Sequence, residues 1–413
     1  FISRFVGSNA LSSLNIVFPV INVAIAISTM LGTGGNAIIS KYLGEGKHRE
    51  ARECLTMFVV VGVAVSIVVL VFTHLFLTPI CYFLGSNEVL LADCERYLAT
   101  AISFAPACML QSLFQSYLVT AEKPHLGLFL TIGAGILNAF LDYFLIAVCR
   151  LGMTGAALAT ALAQAVGGLM VLVYLFGFSR TLHLYRLKIS MKSLHLTCRN
   201  TGYMIQLGAS AMLGELAIAC MMLVGNYAFI RMLKEDGVAA YSVACYCLPI
   251  VFMIANAIAQ SAQPIISYNY GTGNAARVHE TFRLSLKTAF ISGLTAFAVM
   301  YVFCPYIVAM FLEPGCPAYG IATKGIPYFA SGFICFALNI AWIGYYQSIE
   351  LARKAMLFML LRGIILMSIC FLALPHLLGE KGLWLAVPCA ELIIFIALTI
   401  DYQYRHKICR VVK

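Results

Sequence analysis

Residues 136–146 read ILNAFLDYFLI, an aspartate inside a long apolar stretch. On a helix Asn138 and Asp142, four apart, share one face. A carboxylate at mid-membrane costs about 2.5–3.5 kcal/mol on insertion scales, so Asp142 requires a partner, a proton or an aqueous cavity. One carboxylate and one amide oxygen begin a site for a proton or for a hard cation such as Na⁺, without completing a metal site. The same spacing also serves a polar clamp between helices, with a neutral Asp142 hydrogen-bonded to Asn138; spacing alone leaves both readings open. Two more carboxylates interrupt apolar runs, Glu215 in LGASAMLGELAIA and Glu391 in AVPCAELIIF. For Glu391 a helix clamp and a functional role are both open. Arg362 lies one to two turns inside a span, where its long stem predicts snorkelling to the cytoplasmic edge. His74 is expected to be a hydrogen-bonded interior residue. Nothing resembles a nucleophile–base pair, a phosphate loop or a metal-ligand cluster, so the sequence supports no enzyme and calls for no cofactor beyond a bound proton or cation.

The elements that carry these residues follow from composition. Hydrophobic residues make up 62% of the 413 and charged residues 11%, with mean hydropathy +0.92. A soluble domain carries about 25% charged residues, so lipid must be the main solvent. The 15 Cys are scattered through apolar runs with no CxxC pair, which makes them small hydrophobes rather than a disulfide framework. Apolar runs lie at about 11–42, 54–84, 89–120, 126–148, 154–178, 200–232, 238–270, 282–312, 318–349, 355–378 and 382–403. The opening FISRFVG reads as the tail of a further helix, so at least one more span is expected upstream. Pro19, Pro106, Pro249 and Pro388 fall inside runs and permit bends; Pro19 and Pro249 occupy corresponding spans and are paired hinge candidates.

With spans alternating from a cytoplasmic N-terminus, 20 of the 27 Lys and Arg fall on the cytoplasmic side and 7 outside. That is a positive-inside pattern, and it accounts for the net charge of +10 without a nucleic-acid partner. Both termini are then cytoplasmic.

The chain also repeats itself. IISKYLGEG at 38–46 and IISYNYGTG at 265–273 agree at five of nine positions, 227 residues apart. Tyr117 and Glu122 of YLVTAE match Tyr345 and Glu350 of YYQSIE at a shift of 228. Six spans therefore repeat as six, and an even number makes the copies parallel, as in transporters that rock around a central site.

These stretches carry a family resemblance. GTGGNAIISKYLGEGKHREA at 32–51 and AQSAQPIISYNYGTGNAARV at 259–278 resemble the second and eighth helices of the MATE (multidrug and toxic compound extrusion) family; QPIISYNYGTG, YYQSIE and PCAE are most similar to its MepA-type bacterial branch. The resemblance implies an all-α integral membrane protein of twelve transmembrane helices, the first truncated here, in two six-helix parallel-repeat lobes. Residues 1–178 would form the N-terminal lobe, 179–199 a cytoplasmic inter-lobe loop and 200–413 the C-terminal lobe with its tail. It further implies a bacterial plasma-membrane antiporter, expected as a monomer amid membrane lipid, that exports amphipathic or cationic organic compounds in exchange for H⁺ or Na⁺. Asn138 and Asp142 match the family's fifth-helix pair, which works with a sixth-helix Thr, here Thr160, and with a first-helix Asp that would precede Phe1. Glu215 resembles the embedded carboxylate of the C-terminal half. Where some members have a tenth-helix Asp, this chain has Asn339 and no acid, which weakens a complete second cation site. The nearest competing function is a lipid-linked oligosaccharide or peptidoglycan-precursor flippase of the same superfamily; a channel is a third.

Overall fold

A computed structural model describes residues 8–84, 86, 88–121, 123–177, 184 and 191–411. The FISRFVG opening, Glu122 and most of the 179–199 connection lie outside them. Among the described residues there are helices and no strands, as a bilayer requires of a chain that must satisfy its own backbone hydrogen bonds.

In order these are α1 (Ser8–Gly44), α2 (His48–Leu75), α3 (Leu77–Phe83), α4 (Glu88–Ser103), α5 (Ala105–Thr120), α6 (Pro124–Asp142) and α7 (Gly152–Gly177). A continuous stretch Met191–Gly271 follows, interrupted at Lys234 by a non-helical backbone (φ 55°, ψ −146°), so it is two helices, α8 (191–233) and α9 (235–271). The remainder is α10 (Ala275–Val302), α11 (Cys304–Ala309), α12 (Pro317–Ala330), α13 (Phe333–Ser348), α14 (Ala352–Leu360), α15 (Met367–Leu378) and α16 (Glu380–Val411). Among the described residues eight segments are long and apolar enough to cross a membrane, or ten if the bent pairs α4–α5 and α12–α13 each count as one span. Splitting the long segment at Lys234 gives eleven crossings among the described residues, and they coincide with the eleven apolar runs. At 1.5 Å per residue, the 28 residues of α2 reach about 42 Å, beyond the ~30 Å hydrocarbon core. Large apolar side chains face outward, Leu75 and Phe129 among them at 72% and 70% exposed; such a surface suits lipid and not water. The described cysteines are all free thiols.

Contacts divide the chain into two compact units, 1–212 and 213–413. The division falls inside α8, later than the 179–199 connection. The start of α8 belongs with the first unit because it crosses α1 backbone to backbone: a Cβ on Gly34 would collide with the Met204 carbonyl, and one on Gly208 with that of Met30. Close crossing at small residues is how membrane helices gain packing when lipid supplies no hydrophobic drive.

Each unit repeats the other's construction. α1 ends with Gly46 at φ +75° and α9 with Gly273 at φ +74°. In both, the glycine N–H bonds the carbonyl three residues back (Leu43, Tyr270; 3.1 Å) and the next N–H the carbonyl five back (Tyr42, Asn269; 2.9 Å), the Schellman cap that closes a helix C-terminus. The repeated serines also hold corresponding places. Ser40 Oγ lies 3.1 Å from Thr120 Oγ1 at the end of α5, and Ser267 donates to the Ser348 carbonyl at the end of α13 at 3.1 Å. Thr120 donates in addition to Asn36 Oδ1. One crossing of each unit, α4–α5 in the first and α12–α13 in the second, breaks at matching positions, by 54° between Ser103 and Ala105 and by 41° between Ala330 and Phe333. Pro106, in the first turn of α5, cannot supply the hydrogen bond that would continue α4. Pro19 and Pro249 lie within α1 and α9, and Pro388 within α16.

Candidate functional site

In the first unit the site is built where α6 changes pitch. The helix runs regularly to Asp142, then widens into a π turn, Tyr143–Val148, a distortion that gathers at functional sites. α7 packs alongside, and Gly155 lets it come close: a Cβ there would lie 3.0 Å from the Leu145 carbonyl oxygen. This brings together two of the three expected residues: Asn138 Nδ2 donates to Thr160 Oγ1 at 3.3 Å, while the Thr160 hydroxyl lies 3.4 Å from the Ala156 carbonyl. Asn138 gives its amide to Thr160, and the Asn138–Asp142 hydrogen bond of the clamp reading is not formed. Asp142, half-buried, has no hydrogen-bond or ion-pair partner among the described residues. Its charge is felt at Tyr97.

Thr160 and Tyr97 both line a cavity of about 320 Å³ inside the first unit. Its wall is apolar, relieved by the hydroxyls of Ser28, Ser66 and Ser112 and the amide of Gln164, and among the described residues no Asp, Glu, Lys, Arg or His contributes to it. Ligand pockets of this kind are mostly apolar with a few placed polar groups. Asn138 reaches the wall through Thr160, and neither Asn138 nor Asp142 lines the cavity itself.

In the second unit Glu215, on α8, is half-buried and has no hydrogen-bond or ion-pair partner among the described residues. Glu391, on α16, is engaged. Its Oε2 accepts from Arg362 Nε and from Asn339 Nδ2, both at 2.8 Å, and its backbone carbonyl accepts a second bond from Asn339 Nδ2 at 2.8 Å. Arg362 sits in a second π turn, Leu361–Leu366, between α14 and α15. The guanidinium carbon lies 4.2 Å from the centroid of the Phe336 ring, and Nη1 lies 3.6 Å from Met359 Sδ. The expected snorkelling is therefore corrected: Arg362 turns inward, its side chain 4% exposed beside Glu391 at 1%. A charge-assisted hydrogen bond to a buried carboxylate holds the guanidinium there. Removing one partner of such a pair alone costs about 3–5 kcal/mol. Asn339, which made a second site look incomplete, is a donor to an acid supplied from another helix. His74 is hydrogen-bonded, through Nδ1 to the Leu70 carbonyl at 3.1 Å and near Ser103 Oγ at 3.4 Å, but is exposed rather than interior. Among the described residues no group of three His, Cys, Asp or Glu is arranged to hold a metal ion.

The MatE family profile matches residues 1–144 and 211–372, well over half of the chain; that span contains Asn138, Asp142, Glu215 and Arg362 and excludes Thr160 and Glu391. Among relatives, a multidrug export protein MepA from Staphylococcus haemolyticus is 22% identical over 414 residues, covering 99% of this chain and 88% of its own length. Its namesake from Staphylococcus saprophyticus is 20% identical over 409 residues, covering 99% and 89%. Among solved structures, a multidrug resistance MATE family transporter in an outward-facing conformation superposes with a TM-score of 0.90 at 18% identity, over 98% of this chain and 89% of that one. A mutant form of a MATE transporter from Vibrio cholerae gives 0.89 at 20% identity over 98% and 91%. At these identities the structures speak for the fold, which is all-α, multi-pass and two-lobed. The chain belongs to the MatE family, a family of transport proteins and not of enzymes.

Proposed function

We propose that this protein is a secondary active multidrug efflux antiporter of the bacterial plasma membrane, exporting amphipathic and cationic organic compounds in exchange for H⁺ or Na⁺. Asp142 binds the coupling ion, with Asn138 and Thr160 as its polar neighbours. The observation that carries the reading is a membrane-embedded carboxylate without a partner among the described residues, close in sequence to the Asn138–Thr160 pair at the edge of an apolar cavity. An uncompensated charge there favours taking up a cation, and a cation bound more tightly in one conformation than in another shifts the balance between them. The export activity named for the Staphylococcus relatives supports the cargo class. The excess of Lys and Arg on one set of loops supports cytoplasmic termini.

The flippase reading needs interior basic groups free to meet a pyrophosphate. Arg362, an interior guanidinium, is already paired with Glu391, which favours the exporter. The deciding experiment is dye efflux from proteoliposomes under separately imposed pH and Na⁺ gradients. Wild type is expected to respond to one gradient, and Asp142→Asn to lose that response while remaining folded and monodisperse. Wild-type efflux from Asp142→Asn vesicles would remove Asp142 from the coupling step.

A further inference from the structure

The second unit's buried carboxylate is held on terms opposite to those of Asp142. Glu391 Oε2 accepts from Arg362 and Asn339, joining α16 to the π turn after α14 and to α13. α13 also brings the Cys335 thiol within electrostatic range and the Phe336 ring beneath the guanidinium. The other elements around the pair add Gly214, Ala217, Ile218 and Met221 from α8, Leu248 and Phe252 from α9, and Met367 from α15. Among the described residues Arg362 is the one cation in this surround, and a guanidinium does not deprotonate in a protein.

We propose that Arg362 is a tethered countercation. It occupies at Glu391 the place that a mobile coupling ion would take, so that Glu391 loads neither a proton nor Na⁺ during transport. Protonating Glu391 would strand a buried guanidinium, and adding Na⁺ would set two positive charges against one carboxylate. Either change leaves net charge in a low-dielectric interior, the costly outcome for buried ions. Space points the same way. The void beside Arg362 and Glu391 is about 10 Å³, enough for at most one water. Glu391 Oε1 is a buried acceptor without a donor among the described residues, and one water in the void would satisfy it while leaving the charge unchanged.

The consequence for transport rests on the cation-coupled reading above; the binding consequence does not, and it is measured first. Purified wild type, Arg362→Gln, Arg362→Lys, Glu391→Gln and the double variant Arg362→Gln/Glu391→Gln are compared by infrared detection of protonated carboxyl groups and by thermal unfolding against Na⁺ concentration. Arg362→Gln is expected to gain a protonated-carboxyl band at neutral pH or a Na⁺-dependent rise in Tm. Wild type, Arg362→Lys and the double variant are expected to lack both contributions from Glu391. In proteoliposomes the double variant is expected to keep gradient-driven dye efflux. The proposal is overturned if wild type shows a protonated-carboxyl band or Na⁺ stabilisation that Glu391→Gln removes and Asp142→Asn and Glu215→Gln leave. It is equally overturned if the folded double variant binds dye but has lost gradient dependence. Should Arg362→Gln fail to fold, the wild-type and double-variant comparisons still decide. Should wild type show no gradient dependence at all, the coupled reading fails and the infrared and Na⁺ measurements stand on their own.

Discussion

Asp142 and Glu391 are the same functional chemistry in two electrostatic states, one carboxylate left to find a cation and one supplied with it. In the proposed reading, the polar contact set beside the first is the Asn138–Thr160 bond. Replacing Thr160 with Val keeps its shape and removes the acceptor, so coupled efflux should fall about fivefold, the equivalent of roughly 1 kcal/mol for one net hydrogen bond. Thr160→Ser should stay near wild type in the same dye assay; equal rates for Val and Ser would show the hydroxyl to be idle. Asn138 and Asp142 are legible in the sequence because polar residues are scarce in an apolar run, whereas Thr160 needs the family pattern, since a threonine in an alanine-rich helix has no signal of its own. For Arg362 snorkelling is the wrong expectation, and simple arithmetic argues against it. It lies ten residues past the start of α14, about 15 Å of rise, half the ~30 Å core and a long way for a stem to reach back. Its partner, 29 positions on, depends on helix rotation, which the sequence does not state.

At the scale of elements, the spans are legible and their irregularities largely are not. Long apolar runs bounded by turns mark eleven crossings, but the π turns after Asp142 and around Arg362 leave no compositional trace. The 54° break before Pro106 has its proline as a signal; the 41° break has the Ser331–Gly332 pair, a common kink site, and its match in the other half. The repeated Gly-x-Gly proves to be a backbone requirement. Gly46 and Gly273 sit at positive φ, and a Cβ added to either would meet nothing within 4 Å, so their cost of substitution is conformational alone. Gly46→Ala and Gly273→Ala should each lower stability by about 1–2 kcal/mol, and the double variant by their sum because the sites are separate. Thermal unfolding measures this, and an unchanged Tm in both would mean that the caps bear no part of the stability.

Across the whole molecule, the repeat read from IISKYLGEG and IISYNYGTG reappears as matched caps, matched serine contacts and matched breaks. The proposed orientation is testable there. In a cysteine-free background, single cysteines at 47 and 274 should react with an impermeant thiol reagent from the cytoplasmic face, and one at 234 from outside. If Pro19 and Pro249 act as paired hinges, the Pro19→Ala/Pro249→Ala variant should alter how those and cavity-facing cysteines divide between the two faces during turnover; identical labelling and transport would exclude hinging. The contrast between the two carboxylates also has an electrical meaning. Moving one elementary charge through the full membrane field involves about 2.3 kcal/mol per 100 mV. Arg362 and Glu391, travelling together, sum to zero and do no net work against the field. In the proposed reading, membrane voltage would act on the carboxylates that have no partner among the described residues, Asp142 and Glu215, and pass over the pair that carries its own neutraliser.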